Sequence, residues 1–348
     1  MHGAMALGMI MLAGHGRMDH PTGEFIDLGR IQVTAEAVKE FAAAYDPQPQ
    51  HIDERAAAQT LLGGLVASGW QMCAVLMRQV ERQLESMFPQ IGVPSIDEIR
   101  WLKPVRPGDA LDARFGWRSR CSCRACGDAG GRAIVAEVVD RTGDPILRMN
   151  GNVLLPPREA SPAGVWQSAI RCAEHVRRRP RVPRRRGGHL VRYFEEVELG
   201  DEIELGSFDF TPTAMASYSR MIQSVCGDSN SPSPSPATLR GHVVSGWHVV
   251  SAWMRKVIDY YQAEADWLAK HSRPVPLLGP AAGARSLSWC KPVRAGETIA
   301  FSSWAEHKIE IGTSSDWGLL VAGAEGVNQD GEIVVSFYPL FLLQKKTA

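Results

Sequence analysis

An aspartate and a histidine five residues apart, Asp46 and His51, are the side chains in this sequence best suited to acid–base chemistry. An apolar pocket readily moves the pKa of a carboxyl or an imidazole toward neutrality, as general acid–base catalysis requires. Pro47 and Pro49 disfavour the helical region for the residue before each proline. We therefore predict that the segment from Asp46 to Pro49 is an extended turn that holds both side chains in defined directions. On its own, this spacing is more often a turn-capping aspartate beside a surface histidine.

The element predicted to face this turn is a helix that begins in a glycine-rich stretch, Gly63-Gly64-Leu65-Val66-Ala67-Ser68-Gly69-Trp70. Residues 70–77 are apolar on nearly every side, and the later apolar residues narrow to one stripe, which indicates a helix entering a core. Ser68 is the predicted N-cap. Gly69 would let a ligand oxygen approach backbone N–H groups at the positive end of the helix dipole. This helix start is therefore predicted to bind an oxyanion.

These two motifs are followed by a third, Arg100-Trp101-Leu102-Lys103-Pro104-Val105-Arg106-Pro107-Gly108-Asp109. Together and in this order they resemble the MaoC-like acyl dehydratases, relatives of the (R)-specific enoyl-CoA hydratases. The resemblance implies an α+β hot-dog fold, in which an antiparallel sheet wraps a long central helix. It also implies a set of site residues: Asp46 and His51 as catalytic residues, Gly69 as the group that binds the thioester oxygen, and Gln48 and Ser68 in support.

The surrounding pattern agrees with one helix wrapped by several antiparallel strands. A short strand is predicted within 25–33, and Thr34 is predicted to cap a helix whose apolar face leads to the Asp46 turn. Residues 110–118 alternate between apolar and polar side chains, as in a strand buried on one face. Two further strands are predicted on either side of the turn at 141–144, the second ending at Leu155.

The second half of the chain repeats the first. The stretch 241–247 resembles 64–70 from 177 residues earlier, and 289–294 resembles 101–106 from 188 residues earlier. The second copy thus carries extra residues within 261–285. Repetition at this length predicts a tandem duplication. We predict a hot-dog domain at 19–157, a linker at 158–190 and a second hot-dog domain at 191–346, packed together as an intrachain pseudo-dimer.

The second copy departs from the family motif where the chemistry would lie. It has Gly227-Asp228-Ser229-Asn230-Ser231-Pro232-Ser233-Pro234, in which Asp228 has no histidine five residues later. His242 or His248 would have to substitute, although a histidine packed in the core is more frequent at a helix start. We therefore predict one competent site, in the N-terminal half, and a second half that supplies the partner surface. Association of two chains into a further homodimer stays open.

Composition excludes several classes of function. The 348 residues include 38 basic and 38 acidic side chains, so no net charge points to nucleic acid or to a membrane surface. No apolar run reaches the roughly 18–20 residues that span a bilayer. The seven cysteines are unevenly spaced, which favours reduced thiols in the cytoplasm. Cys121, Cys123 and Cys126 lack a nearby fourth ligand, so no metal is predicted.

Two other stretches are predicted to have no catalytic role. The run from Arg177 to Gly188 is rich in arginine and proline, and a solvated linker is a more common role for such a run than polyanion binding. The apolar run at 4–14 has the length of a signal-peptide core but no basic residues before it. We expect translation from Met18 and a cytoplasmic location.

The reaction implied by the resemblance is reversible hydration of a trans-2-enoyl-CoA, or dehydration of the (R)-3-hydroxyacyl-CoA. No cofactor is expected besides the thioester substrate, which CoA or an acyl carrier protein would present. Hot-dog thioesterases are one alternative; they typically place a carboxylate on the central helix, and residues 70–77 have none. A catalytically silent acyl-binding scaffold is the other alternative.

Overall fold

The computed structural model describes residues 23–88, 91–118, 131–155, 167–171, 173–174, 182–226, 243–312 and 315–346. Helices in these ranges include α1 (Ala35–Tyr45), α2 (Pro49–Ile52), α3 (Glu54–Ala58), α4 (Gly69–Met87), α5 (Pro212–Val225) and α6 (Gly246–Lys270). Residues 167–171 and 173–174 are also helical. A 3₁₀ turn lies at Phe194–Glu196. The strands of the first half are β1 (Ile26–Gln32), β2 (Gly92–Trp101), β3 (Ala110–Trp117), β4 (Gly131–Val139) and β5 (Pro145–Leu154). Those of the second are β6 (Arg185–Arg186), β7 (Asp201–Asp209), β8 (Gly283–Trp289), β9 (Thr298–Glu310), β10 (Trp317–Val327) and β11 (Ile333–Gln344).

In the described ranges, all the strands join into one sheet of 11 strands in the order β1-β3-β4-β5-β2-β8-β11-β10-β9-β7-β6. Read outward from the central β2–β8 pair, the first half has the order β2-β5-β4-β3-β1. The corresponding strands of the second half follow in the same way, in the order β8-β11-β10-β9-β7. Each half wraps a long helix, α4 or α6, and the strand pairs within each half are antiparallel except for the short pair β6–β7. This is the predicted α+β architecture of two hot-dog domains packed as a pseudo-dimer.

Local patterns account for the elements around the site. Thr34 caps α1 as predicted, because its hydroxyl oxygen accepts a hydrogen bond from the Ala37 N–H at 3.2 Å. The alternating stretch forms β3, and the two strands at the 141–144 turn are β4 and β5, which are paired along their length. The duplicated helices differ in length, since α6 has 25 residues and α4 has 19. Part of the extra sequence in the second copy therefore extends its central helix.

The two halves meet edge to edge at β2 and β8, which pair in antiparallel register from Ser95–Ser288 to Arg100–Gly283. Gly283 has φ of 154°, a conformation that side chains rarely adopt, and a Cβ there would lie 2.3 Å from the Ile99 carbonyl oxygen. Only glycine therefore allows this close approach. Behind the junction, α1 and α4 contact α5 and α6.

The core is continuous between the halves. The Trp70 indole, at the start of α4, packs edge to face against Trp253 of α6 and Phe337 of β11, with ring centroids 6.1 and 5.8 Å apart. All three residues are buried. Apolar contact of this kind across a shared sheet indicates that the halves form one structural unit.

Part of the basic stretch predicted as a solvated linker is packed on the second half. Residues 185–186 form β6, which pairs in parallel with β7. The Arg184 guanidinium donates a hydrogen bond to Glu325 Oε2 at 2.6 Å and stacks over the Trp304 ring at 3.7 Å from the centroid. The solvated role is therefore wrong for Arg184, which pairs with the buried Glu325 carboxylate, whereas Arg185 and Arg186 are exposed. The domain boundaries stay predictions.

Several predicted features lie outside the described residues. These are the apolar run at 4–14, the cysteines at 121–126, the arginines at 177–181 and the segment 227–242 with Asp228 and His242. Within the residues that are described, no helix is long and apolar enough to cross a membrane. In that same part of the chain, no group of three His, Cys, Asp or Glu side chains is placed to hold a metal ion.

Candidate active site

Asp46 follows α1 directly and is buried, with 3% of its surface exposed. Its N–H donates to the Ala42 carbonyl at 2.9 Å, which ends the helix and turns the side chain inward. The carboxylate accepts two hydrogen bonds: Oδ1 from Gln48 Nε2 at 2.8 Å and Oδ2 from the Ser68 hydroxyl at 2.6 Å. Hydrogen bonds to an ionised acceptor are about twice as strong as neutral ones. Asp46 is therefore held as an acceptor in a fixed orientation.

His51 lies on the helical turn α2 rather than in an extended segment. Gln48 is extended, with φ −82° and ψ 147°, but Pro49 starts the helix, because proline is well suited to the first helical position. The predicted extended turn thus ends at Gln48. The imidazole is buried, and its Nδ1 lies 2.8 Å from the Val66 carbonyl oxygen. Since a carbonyl only accepts, Nδ1 carries the proton, and Nε2 is the basic nitrogen of the neutral ring.

The structure brings Asp46 and His51 together, with His51 Nε2 3.5 Å from Asp46 Oδ2. Each side chain is also oriented by residues outside the pair. Gln48 and Ser68 bind the aspartate, and the Val66 carbonyl binds the histidine. A base held by a third group is the arrangement that proton-transfer sites share. The two groups are therefore placed to act on one bound molecule.

Ser68 occupies the N-cap position of α4, but its side chain makes no capping hydrogen bond. Ser68 is thus the N-cap residue, as predicted, but its hydroxyl donates to Asp46 and accepts no hydrogen bond from the helix N–H groups. The charge-assisted hydrogen bond to the buried carboxylate orients the hydroxyl toward Asp46. Ser68 is thus a supporting residue of the site, through the aspartate rather than through the helix.

Gly69 begins α4, so its N–H is one of the four that have no acceptor within the helix. A Cβ at this position would lie 2.4 Å from the Trp101 ring, whose Nε1 donates to the Gly69 carbonyl at 3.1 Å. The missing side chain therefore makes room for the Trp101 indole, which the sequence did not indicate. Gly69 also lines the cavity described next, as do Asp46 and His51.

A cavity extends from the dyad into the second half. Its first-half lining includes Asp46, His51, Gly69, Met72 and Trp101, and its second-half lining includes Met254, Arg285, Ile309, Leu319, Leu340 and Leu342. Most of this lining is apolar. It ranges from side chains deep in the core, such as Met72 and Met254, to the partly exposed Arg285 guanidinium. The cavity thus connects the interior with the surface at the boundary of the two halves.

His248, at the start of α6, does not form a second base. It is 1% exposed, stacks on Tyr218 with ring centroids 4.4 Å apart, and lies 2.8 Å from the Tyr45 hydroxyl. Burial lowers the pKa of this imidazole to about 3. The expectation of a histidine packed in the core is confirmed.

Sequence reasoning missed the Val66 carbonyl and the side chain of Gln50. Val66 acts through its backbone, so its side-chain type carries no signal. Gln50 Nε2 donates to Gln48 Oε1 at 3.0 Å and thereby orients the amide that binds Asp46. The repeated glutamine of Gln48-Pro49-Gln50 is the pattern from which this short chain of hydrogen bonds could have been predicted.

Comparison with known proteins identifies the part of the chain that carries the dyad. Residues 19–124 match the model of a family described as MaoC like domain. This part of the chain is therefore similar to the MaoC-like domains. The uncharacterized protein YdeM of Bacillus subtilis (strain 168) is 27% identical over 89 residues, a match that covers 26% of this chain and 63% of that protein.

Solved structures show the fold of the whole chain. A MaoC domain protein of Chloroflexus aurantiacus J-10-fl is 14% identical with a TM-score of 0.60, covering 96% of this chain and 100% of that one. RV0216 of Mycobacterium tuberculosis, reported to have a double hotdog fold, is 14% identical with a TM-score of 0.57, covering 92% of this chain and 96% of that one. The segment that matches the family model thus lies in the first half of a double hot-dog fold.

Proposed function

We propose that this protein catalyses the reversible hydration of a trans-2-enoyl thioester, or dehydration of the (R)-3-hydroxyacyl thioester, at Asp46 and His51. The supporting observation is the buried pair itself, with Nε2 and Oδ2 3.5 Å apart at one end of an apolar cavity. Both groups are held in place by other partners, so the pair is organised before substrate binds.

We propose that His51 Nε2 and Asp46 Oδ2 are the atoms that exchange protons. A water molecule that contacts both His51 Nε2 and Asp46 Oδ2 is oriented by the pair in front of the thioester. In hydration, the water oxygen bonds to C3 as the C2=C3 π bond breaks, the water gives up a proton to the dyad, and the dyad passes a proton to C2. Atoms and charge balance, and no redox partner is needed. The exchange of protons is assigned to the pair as a unit rather than to one of its members.

The start of α4 is proposed to stabilise the charge that develops on the thioester oxygen. As C3 is attacked, the carbonyl gains enolate character, and a backbone N–H at a helix N-terminus is a suitable donor for it. Gly69 provides that N–H at the cavity wall. Removal of one such donor in other enzymes typically lowers kcat by about 10²–10³.

The second half is proposed to hold the rest of the substrate. Ile309, Leu340 and Leu342 line the cavity on strands of that half, and apolar walls are favourable contacts for an acyl chain or for the methylenes of a pantetheine arm. The second half would then determine which acyl chain lengths are preferred, and this preference would be measured as differences in kcat/KM between substrates. We further propose acyl-CoA as the physiological thioester and the cytoplasm as its location.

The thioesterase alternative finds less support in the cavity. In the described part of the chain, the carboxylates that line the cavity are Asp46 and Glu98, and neither lies on the central helix α4. Glu81 does lie on α4, and burial raises its pKa to about 7, but it does not line the cavity. A thioesterase of the usual hot-dog kind would need such a carboxylate in contact with the thioester.

The test is a panel of trans-2-enoyl-CoAs of increasing chain length, assayed by loss of the conjugated-thioester absorbance. We expect hydration by the wild-type protein and a decrease in kcat of roughly 10²–10⁴ for Asp46→Asn. Release of free CoA thiol is measured in the same reactions. Thiol release without hydration would identify a thioesterase, and neither reaction on any substrate would favour a silent acyl-binding protein.

A further inference from the structure

The central helix of the second half contacts the segment that carries Asp46 at three points. His248, Arg255 and Gln262 of α6 approach Tyr45, the carbonyls of Ala43 and Ala44, and the carbonyl of Pro47. The three α6 residues are seven apart, or nearly two helical turns, so they lie on one face of the helix. These contacts cross the boundary between the halves and approach Asp46 from both sides along the chain.

Arg255 makes the central contact. Its Nη1 donates to the Ala43 carbonyl at 2.8 Å and to the Ala44 carbonyl at 3.3 Å. These are among the last carbonyls of α1, which have no partner within the helix, and a cation at a helix C-terminus is favoured by the helix dipole. The guanidinium is itself held by Asp259, whose Oδ1 accepts from Nε at 2.7 Å. A side chain of the second half thus caps the helix that ends at Asp46.

The contacts on either side extend this support. The Tyr45 hydroxyl lies 2.8 Å from His248 Nε2, and both groups are buried among aromatic rings that include Tyr218. Gln262 Nε2 donates to the Pro47 carbonyl at 3.3 Å. The residues immediately before and after Asp46 are therefore each bonded to α6.

Asp46 itself has φ −150° and ψ 63°, outside the helical and extended regions, so its neighbours determine where its carboxylate points. A displacement of about 1 Å of a reacting group can cost about 10²-fold in rate. Loosening the cap would move Oδ2 relative to His51 Nε2 without touching either side chain.

We propose that α6 positions Asp46 and that Arg255 is the residue through which the non-catalytic half controls turnover. Arg255 is a positioning residue in this proposal, since it bonds the backbone of α1 and acts through Asp46. The proposal rests on the proposed function insofar as Asp46 is catalytic. It gives the second half a part in the chemical step, in addition to its part in lining the cavity.

The experiment compares Arg255→Ala, Arg255→Lys and Lys256→Ala with the wild-type protein. Lys256 is the matched control: it is adjacent on α6 and its Nζ lies 3.7 Å from Asp259 Oδ2, yet within the described residues it has no hydrogen bond to α1. We expect Arg255→Ala to lower kcat roughly 10- to 100-fold with KM changed less than about threefold. Arg255→Lys should recover part of kcat, and methylguanidine added to Arg255→Ala should also raise it. Lys256→Ala should behave as wild type.

Hydrogen–deuterium exchange of residues 42–52 provides a readout that does not need activity. We expect faster exchange there in Arg255→Ala and no change in Lys256→Ala. An active wild type with equal kcat in Arg255→Ala and Lys256→Ala would overturn the proposal. If the wild type hydrates no enoyl thioester, the proposed function fails, and exchange alone then decides whether α6 positions this segment: unchanged exchange in Arg255→Ala would overturn that too. Should Arg255→Ala not fold, Arg255→Lys carries the same comparison.

Discussion

Replacing His51 by asparagine tests the roles of its two ring nitrogens separately. The asparagine amide can reach the position of Nδ1 and donate to the Val66 carbonyl, which accepts from the imidazole at 2.8 Å, but it has no group at the position of Nε2. The buried carbonyl thus keeps its hydrogen bond, and the free energy of unfolding should change by less than about 1 kcal/mol. The proton-transfer atom is removed.

The expected loss of activity follows from that removed atom. A positioned acid–base group contributes roughly 10²–10⁴ in rate, which corresponds to about 2.7–5.5 kcal/mol of activation free energy. We expect kcat on the best enoyl-CoA to decrease by this factor, with a smaller effect on KM. His51→Ala should lose activity similarly, and should also be destabilised by about 1–3 kcal/mol because the Val66 carbonyl is left unsatisfied.

The assays are steady-state hydration kinetics and urea unfolding of the same preparations. A folded His51→Asn variant with wild-type kcat would remove the imidazole from the mechanism. Equal unfolding free energies for His51→Asn and His51→Ala would contradict the structural part of the reasoning, namely that Nδ1 satisfies a buried carbonyl.

Two further outcomes are expected. Gly69→Ala and Gly246→Ala would each place a Cβ within 2.4 Å of a tryptophan ring, so both should lose about 1–3 kcal/mol of stability. Hydration assays should show a much larger loss of kcat for Gly69→Ala, and equal losses would argue against the Gly69 N–H as the thioester donor. Burial lowers the pKa of His189 to about 3, so the unfolded chain binds a proton there that the folded chain does not between about pH 6.5 and 3, and stability decreases as pH decreases. In urea unfolding across this range, His189→Gln should reduce that slope by up to about 1.4 kcal/mol per pH unit, and an unchanged slope would contradict a buried neutral imidazole.

The elements of this fold were predictable because each depends on local pattern. Thr34, followed by apolar residues at helical spacing, predicts a capped helix, and the structure has one. The alternation in 110–118 similarly predicts β3. The pairing of Asp46 with His51 follows from a spacing that one turn and one short helix can close. In each case the residues that form the pattern lie within a few positions of each other in the sequence.

The partners of Ser68 and Arg255 could not be predicted in this way. The Ser68 hydroxyl bonds a carboxylate 22 residues earlier, and Arg255 bonds carbonyls 211 and 212 residues earlier. The local pattern shows which face of a helix a side chain occupies but not what lies opposite. Arg184 was misjudged for the same reason, because the carboxylate of its partner Glu325 lies on β10, 141 residues later in the chain.

The junction of β2 with β8 has a kinetic consequence during synthesis. Roughly 190 residues separate the paired strands, which takes about 10–40 s to translate at typical rates. Throughout this interval the edge of β2 from Ser95 to Arg100 has no strand beside it, and an unpaired edge is a template for aggregation. Long-range pairing of this kind also slows folding. The sheet of the first half, which holds the dyad, is therefore completed only when β8 has been synthesised. Nascent chains interrupted before residue 289 should depend on chaperones.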